Sequence, residues 1–257
     1  MSNVILKGEL HTSQGDLEEE REIVKEGLDV LILEQENPEL ESDYGWFDGW
    51  FQWSVILFFW FLETAYLSKV VIKDLADFQD ADIQYTRETN AEMLDNASPW
   101  AKLVGAMLFY LILITSIGLG ASTGPNITRL DLLGAGLLFL AVGLPPIVVR
   151  IHNMRQSSNE RNRDQLIADK IAGAAENGGR VVAIVGGAHL PGIRKRLPDH
   201  IDPIVHRPVY GVCSFRHIKE IVPPLFKTGL VLFSFYLLTV WVVSHLIRLY
   251  LSWGPIL

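Results

Sequence analysis

Two histidines and one glutamate follow short apolar runs that are typical of buried strands. His11 comes just after the run at 4–8 and His189 after the run at 180–185, whereas Glu34 closes a run of its own. In open α/β sheets, ligands bind outside the carboxyl ends of the strands. Two imidazoles and a carboxylate are a common ligand set for a divalent transition metal. The pattern therefore predicts a site for an ion of the Mn, Co or Zn type, held by His11, Glu34 and His189.

The two histidines also share a local motif. Residues 8–11 read Gly-Glu-Leu-His and residues 186–189 read Gly-Gly-Ala-His, so each has the form Gly-x-x-His. Glycine at a strand end lets the backbone come close to a ligand. One such histidine alone is explained as well by a hydrogen bond within its own loop, but the repeat at two strand ends favours a functional pair. Glu9 is predicted to be the general base, with a role as a further metal ligand as the alternative.

Arginines and acidic residues flank these motifs. The segment 159–164 reads Asn-Glu-Arg-Asn-Arg-Asp, and Arg161 or Arg163 could bind a substrate carboxylate or phosphate with two hydrogen bonds. The alternative is a solvated basic turn. We assign Arg163 to the catalytic machinery and Arg161 to substrate binding. The three glutamates at 18–20 are predicted to form a solvated helix face.

Elements that can position these residues follow from the same pattern. The runs at 4–8 and 29–34 read as strands, and the polar segment 17–26 between them reads as a helix, so we predict a βαβ unit with a parallel strand pair. A polar helix at 155–176 precedes the strand at 180–185, and a further strand is predicted at 209–215. The fold class is therefore α/β, with a small, mostly parallel sheet.

Long apolar segments interrupt this α/β pattern. The chain has 257 residues and is 49% hydrophobic, and three windows lack Asp, Glu, Lys and Arg: 103–128, 132–149 and 228–247. A membrane span needs about 20 mostly apolar residues. We therefore expect an integral membrane protein, with a transmembrane hairpin inserted within the sheet domain and a C-terminal transmembrane helix.

A fourth apolar run, at 49–62, is rich in Trp and Phe but has only 14 residues. If His11 and His189 share a site, an even number of spans must separate them, and three apolar segments lie between them. The short run is therefore predicted to lie at the interface without crossing.

The predicted organisation, in chain order, is as follows: 1–45, first half of the α/β domain; 46–100, aromatic helix and connector; 101–150, hairpin; 151–224, second half; 225–257, anchor.

Charge is distributed unevenly along the chain. Residues 1–45 hold 13 acids and 3 bases, and residues 151–228 hold 7 acids and 12 bases, within a net charge of −8. Because loops rich in Lys and Arg stay in the cytoplasm, we expect a multi-pass protein of the cell membrane with a cytoplasmic α/β domain. We expect no cleavable signal peptide, since the first long apolar run comes after residue 45. The acidic balance predicts no nucleic-acid partner.

Four segments resemble motifs of the TraB/PrgY/GumN family, part of the Tiki superfamily. The segment VVAIVGGAHLPGI at 181–193 resembles its closing signature, and GELHTS at 8–13 resembles its opening Gly-x-x-His motif. DVLILE at 29–34 is similar to its second strand. RDQLIADKI at 163–171 is similar to its Arg-Asp helix, in which a Met usually stands at the place of Ile167. The resemblance covers residues 1–36 and 159–193, whereas 46–150 departs from the family.

This resemblance implies a split active site in a metal-dependent hydrolase related to the Tiki proteases. His11, Glu34 and His189 match the family's site positions, and Arg163 matches its arginine, with Arg161 as the competing register. Glu9 is less typical of the family and is similar to the Gly-Glu of the erythromycin-esterase and ChaN branches. That departure leaves ester hydrolysis or haem-related binding open.

Two functions of different classes are therefore in competition. The first is a membrane-anchored, metal-dependent hydrolase that acts on peptides. The second is a non-catalytic regulatory or binding protein that sequesters a signal peptide, haem or small ligand. The partners expected are the lipid bilayer, a peptide substrate and a second copy of the chain in a homodimer. A transporter is disfavoured, because the three windows hold His245 but no Asp, Glu, Lys or Arg, the charged residues that transport pathways usually show.

Overall fold

A computed structural model describes residues 3–36, 48–63, 67–87, 94–122, 128–156 and 159–253. The strands among these residues form one five-stranded parallel sheet in the order β3-β2-β4-β1-β5. Their bounds are Asn3–Glu9 (β1), Val30–Glu36 (β2), Asp82–Arg87 (β3), Arg180–Gly186 (β4) and Ile204–His206 (β5). The predicted α/β class with a mostly parallel sheet is confirmed. The central strands read as continuous apolar runs because parallel sheets are buried on both faces.

The pairing of strands differs from the predicted βαβ pair. Strand β4 lies between β1 and β2 and pairs with both, so β1 and β2 are not neighbours. The side chains at 181–185 are all buried, and this central strand needs a partner on each side to satisfy its backbone. The sheet thus joins strands from before and after the predicted hairpin.

One further prediction about strands was wrong. The segment 209–215 forms no strand: its backbone turns, with the Ser214 N–H donating to the Gly211 carbonyl, and the second strand of that half is β5. Strand β3 lies in the segment 46–100, for which no strand was predicted. Because β3 lies at the sheet edge, it alternates polar and apolar residues and lacks a long apolar run.

Helices cover both faces of the sheet and supply its core. The described helices, in chain order, are α1 Gln14–Lys25, α2 Gly49–Glu63, α3 Val70–Asp77, α4 Pro99–Ala121, α5 Arg129–Gln156, α6 Asn159–Glu176, α7 Leu190–Arg194 and α8 Phe215–Trp253. Helices α1 and α3 bury Leu17, Val24 and Ile72 against one face of the sheet. Helices α6 and α7 bury Ile171 and Ile193 against the other face. The result is an α/β/α sandwich.

The chain divides into two compact units. The first contains residues 1–42, 63–89 and 154–224 and holds the sheet; the second contains 43–62, 90–153 and 225–257. Three described helices are long and apolar enough to cross a membrane: Pro99–Ala121, Arg129–Asn153 and Phe215–Ser252. The chain is therefore compatible with integral membrane association.

Within the second unit, close contacts join the apolar helices. The Tyr236 hydroxyl of α8 donates to the Ser116 carbonyl of α4 at 3.0 Å and lies so close to Gly134 of α5 that no Cβ would fit there. Helix α2 has 15 residues and packs on the same helices, with the ring of Trp50 against Gly105. The predicted aromatic helix is confirmed, whereas its predicted failure to cross stays a prediction.

Candidate functional site

The sheet brings the predicted polar residues to the carboxyl ends of three neighbouring strands. Strands β2, β4 and β1 are consecutive neighbours, and their carboxyl ends carry Glu34, His189 and the pair Glu9 and His11. Glu34 lies inside β2, which continues to residue 36, and does not close the strand as predicted. The strand order therefore places residues from both ends of the chain at the edge where α/β proteins bind ligands.

The two Gly-x-x-His motifs touch each other through their backbones. The Gly187 N–H donates to the Glu9 carbonyl at 3.0 Å. A Cβ at Gly8 would stand 2.4 Å from Leu190 Cδ1 and 3.2 Å from the Gly187 Cα, so only glycine fits here without a shift. The glycines therefore allow close approach between strand ends, and the first motif positions the second.

The ring of His189 is held by the carboxylate of Asp164, which was not among the predicted site residues. Its Nδ1 lies 2.8 Å from Asp164 Oδ1, near the start of α6, and its Nε2 lies 3.7 Å from Glu34 Oε1. Because a carboxylate accepts hydrogen bonds, it favours the tautomer with a proton on Nδ1, and Nε2 is then the basic nitrogen. The only signal in the sequence was the Asp that follows Arg163 in the family-like helix.

His11 is held in the same way by Glu9. The ring Nδ1 lies 3.0 Å from Glu9 Oε1, and the His11 carbonyl accepts a hydrogen bond from the Leu67 N–H at 3.0 Å. Asp16 of α1 fixes the turn before this histidine, since its Oδ2 accepts from the Leu10 N–H at 2.9 Å. Two carboxylate-oriented imidazoles therefore follow neighbouring strand ends.

Glu34 is occupied by an arginine and a backbone amide. Arg163 Nη2 donates to Oε1 at 2.5 Å, and the Gly186 N–H donates to Oε2 at 2.6 Å. The carboxylate is buried and Arg163 is 23% exposed on its side chain. Arg163 is thus the arginine seen at the site. The side chain of Arg161 lies outside the described residues.

The predicted metal-ligand set is not assembled. Among the described residues, no group of three His, Cys, Asp or Glu side chains is arranged to hold a metal ion. Both oxygens of Glu34 accept hydrogen bonds, and its charge is balanced by Arg163. His189 lies beside Glu34, with 3.7 Å between Nε2 and Oε1, whereas His11 pairs with Glu9. Metal binding by His11, Glu34 and His189 together therefore stays a prediction.

The surroundings of Glu9 do not favour the general-base role predicted for it, and that role stays a prediction. Burial alone would raise its pKa, but the hydrogen bond from His11 and the charge of Lys69 outweigh burial and lower the pKa to about 2. A base is most effective when its pKa lies near the working pH. Glu9 instead holds the ring of His11 through its Oε1.

A buried ion cluster lies behind Glu9. The Lys69 ammonium contacts Glu9 Oε2 and Glu20 Oε2, and all three side chains are at most 4% exposed. Glu20 was predicted to lie on a solvated face, which is wrong: it points inward from α1, and only Glu18 of that run is exposed. Sequence reasoning missed Lys69 altogether, because nothing in its spacing links it to residue 9 or 20.

Comparisons of the chain with protein-family models, with curated proteins and with solved structures found no match.

Proposed function

We propose that this protein is a membrane-anchored hydrolase of the TraB/Tiki type, acting on peptides, in which His189 is the general base. The observation that carries the proposal is the pair of imidazoles, each held through Nδ1 by a carboxylate, that follows neighbouring strand ends. The imidazole of His189 contacts Asp164 at 2.8 Å. Hydrolases use this arrangement to fix the tautomer and the direction of Nε2 and to stabilise the imidazolium that forms.

The residues support hydrolysis of an acyl bond by water. His189 Nε2 takes a proton from the attacking water, and Asp164 stabilises the imidazolium that forms. Arg163, which Glu34 holds at the same end of the sheet, donates a further guanidinium N–H to the oxyanion. The imidazolium then returns its proton to the leaving amine or alcohol, so that water and the acyl bond give an acid and the leaving group. His11 orients the substrate.

A direct test uses full-length protein in lipid nanodiscs with two probe sets, internally quenched peptides and p-nitrophenyl esters. We expect turnover of at least the peptide set. His189→Gln should lower it by roughly 10²–10⁴-fold, the usual size of general-base catalysis. His200→Gln is the control, because His200 is exposed and follows His189 by eleven residues. Turnover that is equal in wild type and His189→Gln would reject the proposal.

Metal removal provides an independent arm of the same assay. Because Glu34 is held by Arg163 and Gly186, we expect the rate to be unchanged by EDTA followed by dialysis. A rate that EDTA abolishes and Mn²⁺, Co²⁺ or Zn²⁺ restores would show that Glu34 exchanges its partners for a metal. In that case the metal-dependent form of the hydrolase would be correct.

A binding protein is the second candidate. Two buried ion pairs favour this candidate: Lys69 neutralises Glu9, and Arg163 neutralises Glu34. Neither carboxylate is then available as a base or nucleophile for hydrolysis. Such a protein would sequester a signal peptide, haem or small ligand at the same edge. Co-purification of a ligand, or a haem absorbance band, without turnover of either probe set would support it over the hydrolase.

The proposal includes an orientation. The sheet unit lies on the cytoplasmic side, because residues 151–228 carry an excess of bases next to the apolar helices. Helices α4 and α5 cross as a hairpin, α8 anchors the C-terminal part, and α2 lies along the membrane without crossing.

A further inference from the structure

Lys69 stands at a junction between α3 and the turn that carries His11. It is the last residue before α3, its side chain is 4% exposed, and it contacts one oxygen of Glu9 and one of Glu20. Leu67, two residues earlier, donates its N–H to the His11 carbonyl at 3.0 Å. One short segment thus holds the His11 turn twice, by backbone and by side chain.

The charges of this cluster balance when Glu20 is neutral. Two buried carboxyl groups face one ammonium, and within the described part of the chain Glu20 Oε1 has no hydrogen-bond partner. Burial, with the nearby charge of Glu9, raises the pKa of Glu20 to about 8. Lys69 is therefore left to balance Glu9, whose other oxygen receives the His11 ring.

We propose that Lys69 is a positioning residue for His11: by holding Oε2 of Glu9, it turns Oε1 toward the ring Nδ1. Without the ammonium, the Glu9 carboxylate loses one of its two fixed contacts and can rotate. The His11 ring then loses a single defined orientation. The consequence for turnover rests on the proposed function, whereas the effect on the ring does not.

The test measures the ring directly. The 257-residue protein with ¹⁵N-labelled histidine is placed in nanodiscs, and NMR spectra of the ring nitrogens are recorded. The signals of the His11 ring are assigned by their loss in His11→Gln. We expect one sharp set of His11 signals in wild type, and shifted or multiple sets in Lys69→Met. Lys69→Arg, which keeps the charge, should restore a single set. Lys73→Met is the matched control, since Lys73 lies on α3 and contacts only the Tyr85 ring among the interactions described.

Activity distinguishes this proposal from the proposed function. If the probe sets are hydrolysed, we expect Lys69→Met to lower kcat about tenfold or more with little change in KM, because substrate contacts remain while alignment is lost. If no probe is turned over, the ring signals still test the positioning role. Unchanged His11 signals in folded Lys69→Met would overturn the proposal. Should Lys69→Met fail to fold, the double variant Lys69→Met with Glu20→Leu removes the excess buried carboxyl, and the same criterion applies.

Discussion

At the scale of single residues, the chemistry of this site depends on which charge each side chain faces. His11 and His189 have the same local motif, yet their carboxylates come from different places: Glu9 lies two residues away, and Asp164 comes from α6. Spacing along the chain can indicate the first kind of pair. It cannot indicate the second, nor the Lys69 cluster, because those partners meet only through the packing of α3 and α6 on the sheet.

Glu20 gives the protein a pH-dependent stability that can be measured. Its carboxyl has an ordinary pKa of 4.5 and a folded pKa of about 8. Between these values the folded state holds a proton that the unfolded state has lost, so stability falls as pH rises from about 4.5 to 8, by up to about 1.4 kcal/mol per unit. We expect Glu20→Gln to remove this decline in thermal unfolding curves recorded from pH 5 to 8.

The control for this prediction lies on the same helix. Glu18 is exposed on α1, so Glu18→Gln should retain the wild-type decline. The Tm values of wild type and the variants are compared at each pH. Because all of these proteins contain the same histidines, the effect of histidine titration on Tm is common to them. If wild type and Glu20→Gln change in parallel with pH, Glu20 is not protonated in the folded state.

At the scale of elements, the sequence was informative where elements are buried on both faces. Strands β1, β2 and β4 read as apolar runs, and their carboxyl ends carry the predicted residues Glu9, His11, Glu34 and His189. The sequence pattern did not predict the edge strand β3 or the order in which the strands pair. Strand β3 lies at the edge of the sheet and has a mixed composition. Strand β4 pairs Val181 with Val30 and with Val4, 151 and 177 residues earlier, and local periodicity carries no information about such contacts.

Because the strand ends are in close contact at Gly8, we expect that adding one methyl group there lowers the stability of the fold. In Gly8→Ala, the new Cβ meets Leu190 and the Gly187 backbone, and overpacking of this kind costs about 1–3 kcal/mol. We expect a lower Tm and, since the motifs move apart, a lower rate on any probe that is hydrolysed. Gly173→Ala on α6 is the control: its Cβ meets nothing within 4 Å, and Ala favours the helix by roughly 0.5–1 kcal/mol. A Gly8→Ala protein as stable as wild type would mean that the strand ends are not in tight contact.

At the scale of the whole molecule, the sheet constrains how the chain can cross a membrane. Strands on both sides of α4 and α5 pair in one sheet, so an even number of crossings must separate them. Three of the described helices are apolar and long enough to cross, and α4 and α5 are the two that lie between β1 and β4. The hairpin topology is the simplest that satisfies both observations.

Reporter fusions test this topology. Fusions at residues 45 and 200 should both report a cytoplasmic location, and a fusion at residue 125 an extracytoplasmic one. A fusion at residue 257 should also be extracytoplasmic, because the proposed topology has α8 cross once more. Opposite locations for residues 45 and 200 would contradict the single sheet, and with it the shared site.

The most direct measurement of the central claim is the steady-state rate of Asp164→Asn on a hydrolysed probe. Asn keeps the shape of Asp164 but does not stabilise the His189 imidazolium, so we predict that kcat falls by roughly 10²–10⁴-fold with KM nearly unchanged. Asp169→Asn, an exposed change on the same helix, should leave both constants as in wild type. A kcat for Asp164→Asn equal to that of wild type would contradict the assignment of His189 as the general base.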